Sequence, residues 1–277
     1  MKTFAIALDL LHEAASRRWF LALGVAITLV LCVTGLALRI EVVDGALAAT
    51  RFFGKVMRTD IQAADVALRP VFQATSYLVF YGGLAFGILA CADFAPSLLA
   101  PGRIEHLLSL PVQRWELLAG TFLGVLALAT IGAVYGAGGL TLILGVKTGV
   151  WTARPVLSAL IAGVTFAALY GAMLTTALFV RSAALSAAVG AFLFGAGIVA
   201  GYRGNIDAAF EPGVARALFR GATLLLPRVS TLADAAAQIA ASTPLDRVSF
   251  GAELAGVAVF GLAALAFGIW RFEQQDF

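Results

Sequence analysis

Side chains that could carry function are concentrated in one stretch, 93–116, which reads DFAPSLLAPGRIEHLLSLPVQRWE. This stretch is too polar to cross a membrane and too apolar to be a plain linker, so we expect it to bind a partner. His106 lies within it, but the chain has only one other histidine, His12, and no cysteine close to His106. His106 is therefore interpreted as a surface residue in preference to a metal ligand.

The spacing within 93–116 predicts a short amphipathic helix followed by the start of a second helix. Pro101 and Gly102 break the chain before the first helix, Pro111 ends it, and 112–116 begins the second. One face of the first helix is apolar and carries Ile104, Leu107 and Leu108. The other face is polar and carries Arg103, Glu105 and His106. Such a helix between two spanning segments could pass force from a soluble partner into the membrane.

Catalytic and cofactor-binding motifs are missing from the sequence. It has no H-E-x-x-H, no G-x-S-x-G and no G-x-x-x-x-G-K-[ST] phosphate loop, and the nearest text, 145–148, lacks the loop's spacing. Cys32 and Cys91 lie inside apolar runs, where a thiol usually behaves as a small hydrophobe. We therefore expect a chain that is not an enzyme, with no catalytic, cofactor-binding or metal-binding residues. Its net charge of +3 also argues against nucleic-acid binding.

The elements that must position 93–116 are six runs of 17 to 30 residues without a charged side chain. Hydrophobic residues make up 61% of the chain and charged residues 13%. Because about 20 helical residues cross the apolar core of a bilayer, the sequence predicts an all-α polytopic membrane protein with six transmembrane helices. These spans are 19–38, 70–92, 117–146, 155–180, 182–202 and 254–270.

We expect one transmembrane domain, 1–277, with a retained interfacial helix at 1–18 and both termini in the cytoplasm. Six spans place 93–116 inside and put 39–69, 147–154 and 203–249 outside. The positive-inside rule predicts an excess of Lys and Arg in the cytoplasm, but this topology places seven of them inside and twelve outside. Segment 203–249 is predicted to hold short amphipathic or re-entrant helices that form an extracellular or periplasmic cap, with a substrate gate as the alternative.

A resemblance to a known family lies in 102–124, GRIEHLLSLPVQRWELLAGTFLG. It is similar to the cytoplasmic segment of ABC-2 type transporter permeases, which commonly reads G-T-L-E-x-L-L-S-L-P-V-S-R-x-E-L-L-x-G-K. The matching positions are Gly102, Glu105, Leu107, Leu108, Ser109, Leu110, Pro111, Val112, Arg114, Glu116, Leu117, Leu118 and Gly120. The chain departs from this pattern at Arg103 and Thr121, where the family has Thr and Lys. The ending WRFEQQDF, 270–277, resembles the basic and aromatic tails of such permeases.

The resemblance implies a permease subunit that forms the translocation path, for export, as a dimer with a second copy or a homologue. A separate ABC ATPase subunit would bind ATP and Mg, so this chain would need no cofactor of its own. We call 93–116 the coupling segment. The residues expected to contact the ATPase are Arg103, Ile104, Glu105, Leu107, Leu108, Leu110, Pro111, Arg114, Trp115 and Glu116. The abundance of Ala, Gly and Arg further suggests a bacterial inner membrane.

Other functions stay open from the sequence. An ion-coupled secondary transporter or a channel is one alternative, although no ionisable residue lies inside the six runs. A subunit that only transmits force to an extracellular partner through 203–249 is another. Three glycine pairs have the small-xxx-small spacing that lets helices approach closely: Gly120/Gly124, Gly132/Gly136 and Gly197/Gly201. They could pack against other helices of the same chain, which we favour, or form a dimer seam. The cargo could be lipid-linked, amphipathic or peptidic.

Overall fold

The computed structural model describes residues 2–16, 18–43, 46–52, 55–58, 62–109, 111–211 and 213–274, and most of them are helical. The helices are α1 Lys2–Ser16, α2 Arg18–Ala37, α3 Ala64–Tyr77, α4 Gly83–Cys91, α5 Phe94–Leu98, α6 Arg103–Ser109, α7 Arg114–Thr148, α8 Arg154–Val180, α9 Ala183–Gly201, α10 Arg203–Asp207, α11 Val214–Leu224, α12 Val229–Ala241 and α13 Arg247–Glu273. A π-helical turn, Leu78–Gly82, joins α3 to α4.

Five helical segments in the described part of the chain are long and apolar enough to cross a membrane. They are Val66–Leu98, Arg114–Thr148, Arg154–Val180, Ala183–Gly201 and Arg247–Glu273. Each contains the central part of one predicted span, which confirms the helical, membrane-spanning character of the chain.

The first predicted span, 19–38, coincides with α2, which is 20 residues long. Its apolar part, Gly24–Leu36, is shorter than the other five segments. The sixth crossing therefore stays a prediction. α2 contacts the middle of α7, where the hydroxyl oxygens of Thr28 and Tyr135 lie 2.7 Å apart.

Residues 38–63 depart from the all-α expectation. They form four short strands, β1 Leu38–Val43, β2 Ala46–Phe52, β3 Lys55–Arg58 and β4 Gln62–Ala63. All pairings are antiparallel: β1 pairs with β2 in a register that sets Leu38 opposite Phe52, and β2 also pairs with β3 and β4. The sequence carries a local reason, because β1 contains β-branched residues and the pair Asp44–Gly45, a common hairpin sequence, separates β1 from β2.

Short connections between the spans are set by local backbone signals. α7 ends where Gly149 adopts a left-handed conformation with φ of 71°, and its N–H donates to the carbonyl of Gly145. α8 ends at Arg181, also left-handed, and the side chain of Ser182 then accepts a hydrogen bond from the N–H of Leu185 at the start of α9. α8 and α9 are thus joined by two residues and run antiparallel as neighbours.

α8 is the central helix of the bundle. In its most apolar stretch 67% of the residues are buried, compared with 17% in the corresponding stretch of α13. Its side chains Leu169, Tyr170 and Met173 are almost completely enclosed. Because the other helices pack around it, α8 sets the positions of the spans that flank the coupling segment.

Glycines allow the backbones of α8 and α13 to approach each other. A Cβ atom built on Gly261 would lie 2.6 Å from the Cα of Ala168, and one on Gly171 would lie 3.0 Å from the carbonyl oxygen of Gly261. One turn further along, the hydroxyl of Thr175 donates to the carbonyl of Ala264 at 2.7 Å. This backbone-to-backbone contact is typical of helix packing in membranes, where small residues and hydroxyl groups hold helices together.

The three predicted small-residue pairs have different environments. Gly120 and Gly124 face α1, and Gly197 and Gly201 face the start of α12, with hypothetical Cβ atoms 3.1 Å or less from backbone atoms of those segments. A Cβ atom built on Gly132 or Gly136 would have no atom within 4 Å. Packing within the chain therefore accounts for the first and third pairs, as expected.

Segment 203–249 contains three helices, α10, α11 and α12. α12 is packed among α3, α8 and α9, and most of its alanines are buried. α12 is thus packed into the helical bundle, because its small alanine side chains let it fit closely between longer helices. The extracellular or periplasmic cap stays a prediction.

Asp207 fixes α11 to α10. Its carboxylate accepts four hydrogen bonds of 2.5 to 2.9 Å from the guanidinium groups of Arg216 and Arg220. These hydrogen bonds, that from Arg216 first, hold the pKa of Asp207 well below its usual range. Charged Asp207 therefore stabilises this contact at every pH above its ordinary pKa, and the stabilisation is lost only as the pH falls through the lowered value.

We expect Gly261→Ala to destabilise the fold, because the added methyl group would overlap the backbone of α8. Overpacking of this kind lowers the free energy of unfolding by roughly 1–3 kcal/mol. The thermal unfolding midpoint of the purified protein in detergent should fall. Gly256→Ala is the matched control on the same helix, since its Cβ would meet no atom within 4 Å. Equal midpoints for the two variants would contradict the proposed contact.

We expect Asp207→Asn to release α11. The loss should appear as faster hydrogen exchange across 214–224 in the variant at neutral pH, because neutral Asn cannot balance two arginines. Glu211→Gln, a neighbouring exposed carboxylate, is the control and should leave exchange unchanged. In the wild type, protection should persist below pH of about 4, the ordinary carboxylate pKa. A loss of protection near that pH would show that the pKa of Asp207 is not lowered.

Candidate functional site

The described residues of the coupling segment contain two short helices, α5 and α6, and α6 is framed by the predicted breaks. Gly102 has a φ of 82°, a left-handed conformation that suits glycine, and α6 begins at the next residue. It ends at Ser109, and α7 starts at Arg114. Leu110 lies outside the described residues, and the side chain of Leu108 is likewise not described.

One face of α6 is buried against the ends of the spans. Ile104 is 3% exposed, and Leu107 is partly buried beside it. Both belong to an apolar cluster with residues from α5, α7, α8 and α13, which are Ala95, Leu98, Leu117, Leu118, Leu174, Ala177, Leu178 and Phe272. We call this the basal cluster. Close packing transmits displacement, so a push on α6 would reach four spanning segments.

An ion pair joins α6 to the N-terminal helix. The guanidinium of Arg103 donates to both carboxylate oxygens of Glu13 on α1, at 2.6 and 3.3 Å. The two side chains are 39% and 26% exposed, so solvent weakens the interaction. Its two-point geometry nevertheless fixes the orientation of α6 relative to α1.

α1 is itself fixed to the start of α7. A Cβ on Gly120 would lie 2.7 Å from the Cβ of Ile6 and 2.9 Å from the carbonyl oxygen of Thr3. A Cβ on Gly124 would lie 3.1 Å from the carbonyl oxygen of Ala7. α1 and the first turns of α7 are therefore closely packed, and the Arg103–Glu13 ion pair links α6 to them. Whether α1 lies at the membrane interface stays a prediction.

The bend between α6 and α7 is held by hydrogen bonds from both ends of the chain. The ammonium of Lys2 donates to the carbonyl of Pro111. The guanidinium of Arg114 donates to the carbonyl of Glu273 at 3.3 Å, and the N–H of Gln113 donates to the carboxylate of Glu116 at 2.9 Å. The last bond caps the N-terminus of α7.

The described members of the predicted contact residues fall into three groups. Ile104 and Leu107 are turned into the basal cluster, and Arg103, Arg114 and Glu116 make the internal polar contacts described above. Glu105, Pro111 and Trp115 are exposed. Together with exposed His106, Ser109 and Gln113 they form one polar and aromatic surface, which we call the coupling face.

A shallow hollow of about 420 Å³ marks the coupling face. It is lined by Val112, Gln113, Arg114, Trp115 and Glu273. The indole N–H of Trp115 donates to the side-chain oxygen of Gln113 at 2.5 Å, which orients the ring at the edge of the hollow. An exposed, oriented tryptophan beside a hollow is typical of protein-binding surfaces.

Sequence reasoning missed the residues that hold this surface in place. Lys2, Glu13 and Glu273 are far from the coupling segment in sequence, and only tertiary structure brings them to it. Gln113 could have been found, because a polar residue three positions before Glu116 at a helix start is a capping pattern.

The described residues include no group of three His, Cys, Asp or Glu side chains that could hold a metal ion. The chain matches no protein-family model and no curated protein. Inference about function therefore depends on the coupling face, the basal cluster and the spans.

We expect the Arg103–Glu13 pair to contribute about 1 kcal/mol or less to stability, because both side chains are partly exposed. Arg103→Glu and Glu13→Arg should each destabilise the protein, and the double exchange should restore part of the loss. A double-mutant cycle on unfolding in detergent measures this coupling, which should weaken at high salt. A coupling energy of zero at low salt would show that the pair does not join α6 to α1.

Proposed function

We propose that the chain is the permease subunit of an ABC transporter of the ABC-2 type, acting as an exporter in a bacterial inner membrane. It would pair with a second copy or a homologue, with its termini in the cytoplasm, and would bind a separate ATPase that holds ATP and Mg. The observation that carries this proposal is the seating of α6, whose residues Ile104 and Leu107 join the basal cluster drawn from four spanning segments while its polar residues Glu105 and His106 are exposed.

The arrangement supports a mechanical role for the coupling segment. When the ATPase subunits close on ATP, they would push on the coupling face. Through Ile104 and the basal cluster, the push would tilt the ends of α7, α8 and α13 together. The path between two permeases would then change its access from one side of the membrane to the other.

The absence of a phosphate loop from the sequence agrees with this division of labour. A push on α6 has to be passed on rigidly, and two contacts support this: Arg103 of α6 with Glu13 of α1, and Arg114 of α7 with the carbonyl of Glu273. The same arrangement would serve a subunit that only transmits force to an extracellular partner. Transport and force transmission would both depend on a bound ATPase.

A second candidate is an ion-coupled secondary transporter. The observation that favours it is Asp234 on α12, whose carboxylate accepts a hydrogen bond from Tyr77 of the spanning segment Val66–Leu98. Ionisable groups at such positions often serve ion coupling. This candidate requires no ATPase, so the same experiment separates the two.

The test is co-purification of the tagged chain from its native host in mild detergent. We expect a soluble ATPase in stoichiometric amount. Glu105→Lys and Trp115→Ala should each reduce its recovery roughly tenfold, because exposed aromatic and charged residues dominate such interfaces. Glu211→Lys, an exposed charge reversal at the opposite end of the bundle, is the control and should have no effect.

Exposed positions give a sharper test than Leu107, because Leu107→Asp would place a charge in the basal cluster and disturb the fold itself. Leu110→Asp is a further variant, expected to abolish transport while the complex still inserts. A chain that purifies without any ATPase in several detergents would overturn the proposed function.

A further inference from the structure

A second polar cluster lies at the other end of the bundle from the coupling face. The hydroxyl of Tyr77 donates to the carboxylate of Asp234 at 2.7 Å, so α12 is bonded to the spanning segment Val66–Leu98. Tyr77 lies roughly 16 Å along that helix from Val66, at 1.5 Å per residue. A carboxylate from segment 203–249 is therefore held beside a span, well inside the bundle's length.

A cluster of aromatic rings lies beside this carboxylate. Tyr77 and Tyr81 are stacked, with ring centroids 6.2 Å apart and planes 7° from parallel. Tyr81 also meets Phe194 of α9 edge to face at 6.2 Å. Tyr202, at the end of α9, is close enough to interact with both tyrosines. The cluster thus spans three elements.

The cluster is open on one side. Tyr77, Tyr81 and Asp234 are only partly buried, and Tyr202 is 43% exposed. Tyr81 also belongs to the π-helical turn Leu78–Gly82, an irregularity that often marks functional sites.

The charges favour a cationic ligand. Among the ion pairs of the described residues, none involves Asp234. A carboxylate beside a span is unfavourable unless a positive charge approaches it. Stacked tyrosine rings attract cations through their π faces, and they suit organic ammonium groups better than metal ions, which need several ligands.

We propose that Asp234, Tyr77 and Tyr81 form a binding subsite for the positively charged amine of an amphipathic cargo. This inference rests on the proposed function and names the chemical class of its cargo. The carboxylate would neutralise the ammonium group, the tyrosine rings would contact its alkyl or aryl substituents, and the open side would admit the apolar remainder from the membrane.

The test is equilibrium binding of radiolabelled tetraphenylphosphonium, a lipophilic organic cation, to the full chain in lipid nanodiscs. Wild-type protein should bind it saturably. Asp234→Asn keeps the shape and a hydrogen-bond acceptor for Tyr77 but removes the charge, and should weaken binding roughly tenfold, or about 1.4 kcal/mol. Tyr81→Leu removes a ring and should weaken it roughly fivefold. Tetraphenylborate, an anion of the same shape, should not compete.

Asp246→Asn is the matched control, because Asp246 caps α13 through the N–H of Val248 and Asn also caps helices well. It should bind like the wild type. Tyr77→Phe keeps the ring and should retain most of the affinity. A thermal midpoint equal to that of the wild type would show that Asp234→Asn is folded. Wild-type affinity in folded Asp234→Asn, or equal competition by the borate, would overturn the proposal.

Binding is measured on the chain alone, so its outcome is separate from that of co-purification. Saturable binding lost in Asp234→Asn without any ATPase partner would keep the subsite and overturn the proposed permease. Co-purification of an ATPase, together with tetraphenylphosphonium binding that does not depend on Asp234, would keep the proposed permease and overturn the subsite.

Discussion

The close approach of α8 and α13 determines how the rest of the bundle is arranged. Gly171 and Gly261 bring the two backbones together, and Thr175 adds a hydrogen bond to Ala264. In an apolar solvent there is little gain from burying more apolar surface, so packing of this kind supplies the main attraction between helices. With α13 held in this way, its last turn reaches the basal cluster, where Phe272 is completely buried.

The two ends of the bundle differ in the kind of contact that joins their elements. At the coupling face, α6 joins the basal cluster and is tied to α1 by Arg103, while Arg114 at the start of α7 contacts the end of α13. At the opposite end, α12 fits among the spans by its alanines, and Tyr77 bonds to Asp234. A densely packed α8 connects the two ends, which is the arrangement that force transmission between them would require.

The apolar runs of the sequence were sufficient to predict the spanning helices, because each run is long, uninterrupted and bounded by charged residues. The strands of 38–63 were missed because a search for apolar runs passes over alternating segments such as that around Ile40. The place of α12 could not be predicted, since its composition suits a surface helix and a buried one equally. For the same reason the hydrogen bond between Asp234 and Tyr77 of a spanning segment could not be predicted.

For the candidate site, Gly102 and Pro111 were sufficient to predict the position of α6, and the resemblance suggested its proposed role. Periodicity also placed Ile104 and Leu107 on the apolar face that is buried. It could not predict that Arg103 and Arg114 bind inside the chain, because Glu13 and Glu273 are distant in sequence. The division between residues that build the surface and residues free to meet a partner thus emerges only from tertiary contacts.

The contact of Arg114 with Glu273 has a consequence for biosynthesis. The coupling segment is synthesised long before α13, yet part of its support, including Phe272 beneath α6, belongs to the last turn of that helix. A nascent chain that has inserted only its earlier helices would therefore lack a finished docking surface. An assembling partner would select chains whose final helix is already in the membrane, so assembly itself would act as a check on insertion.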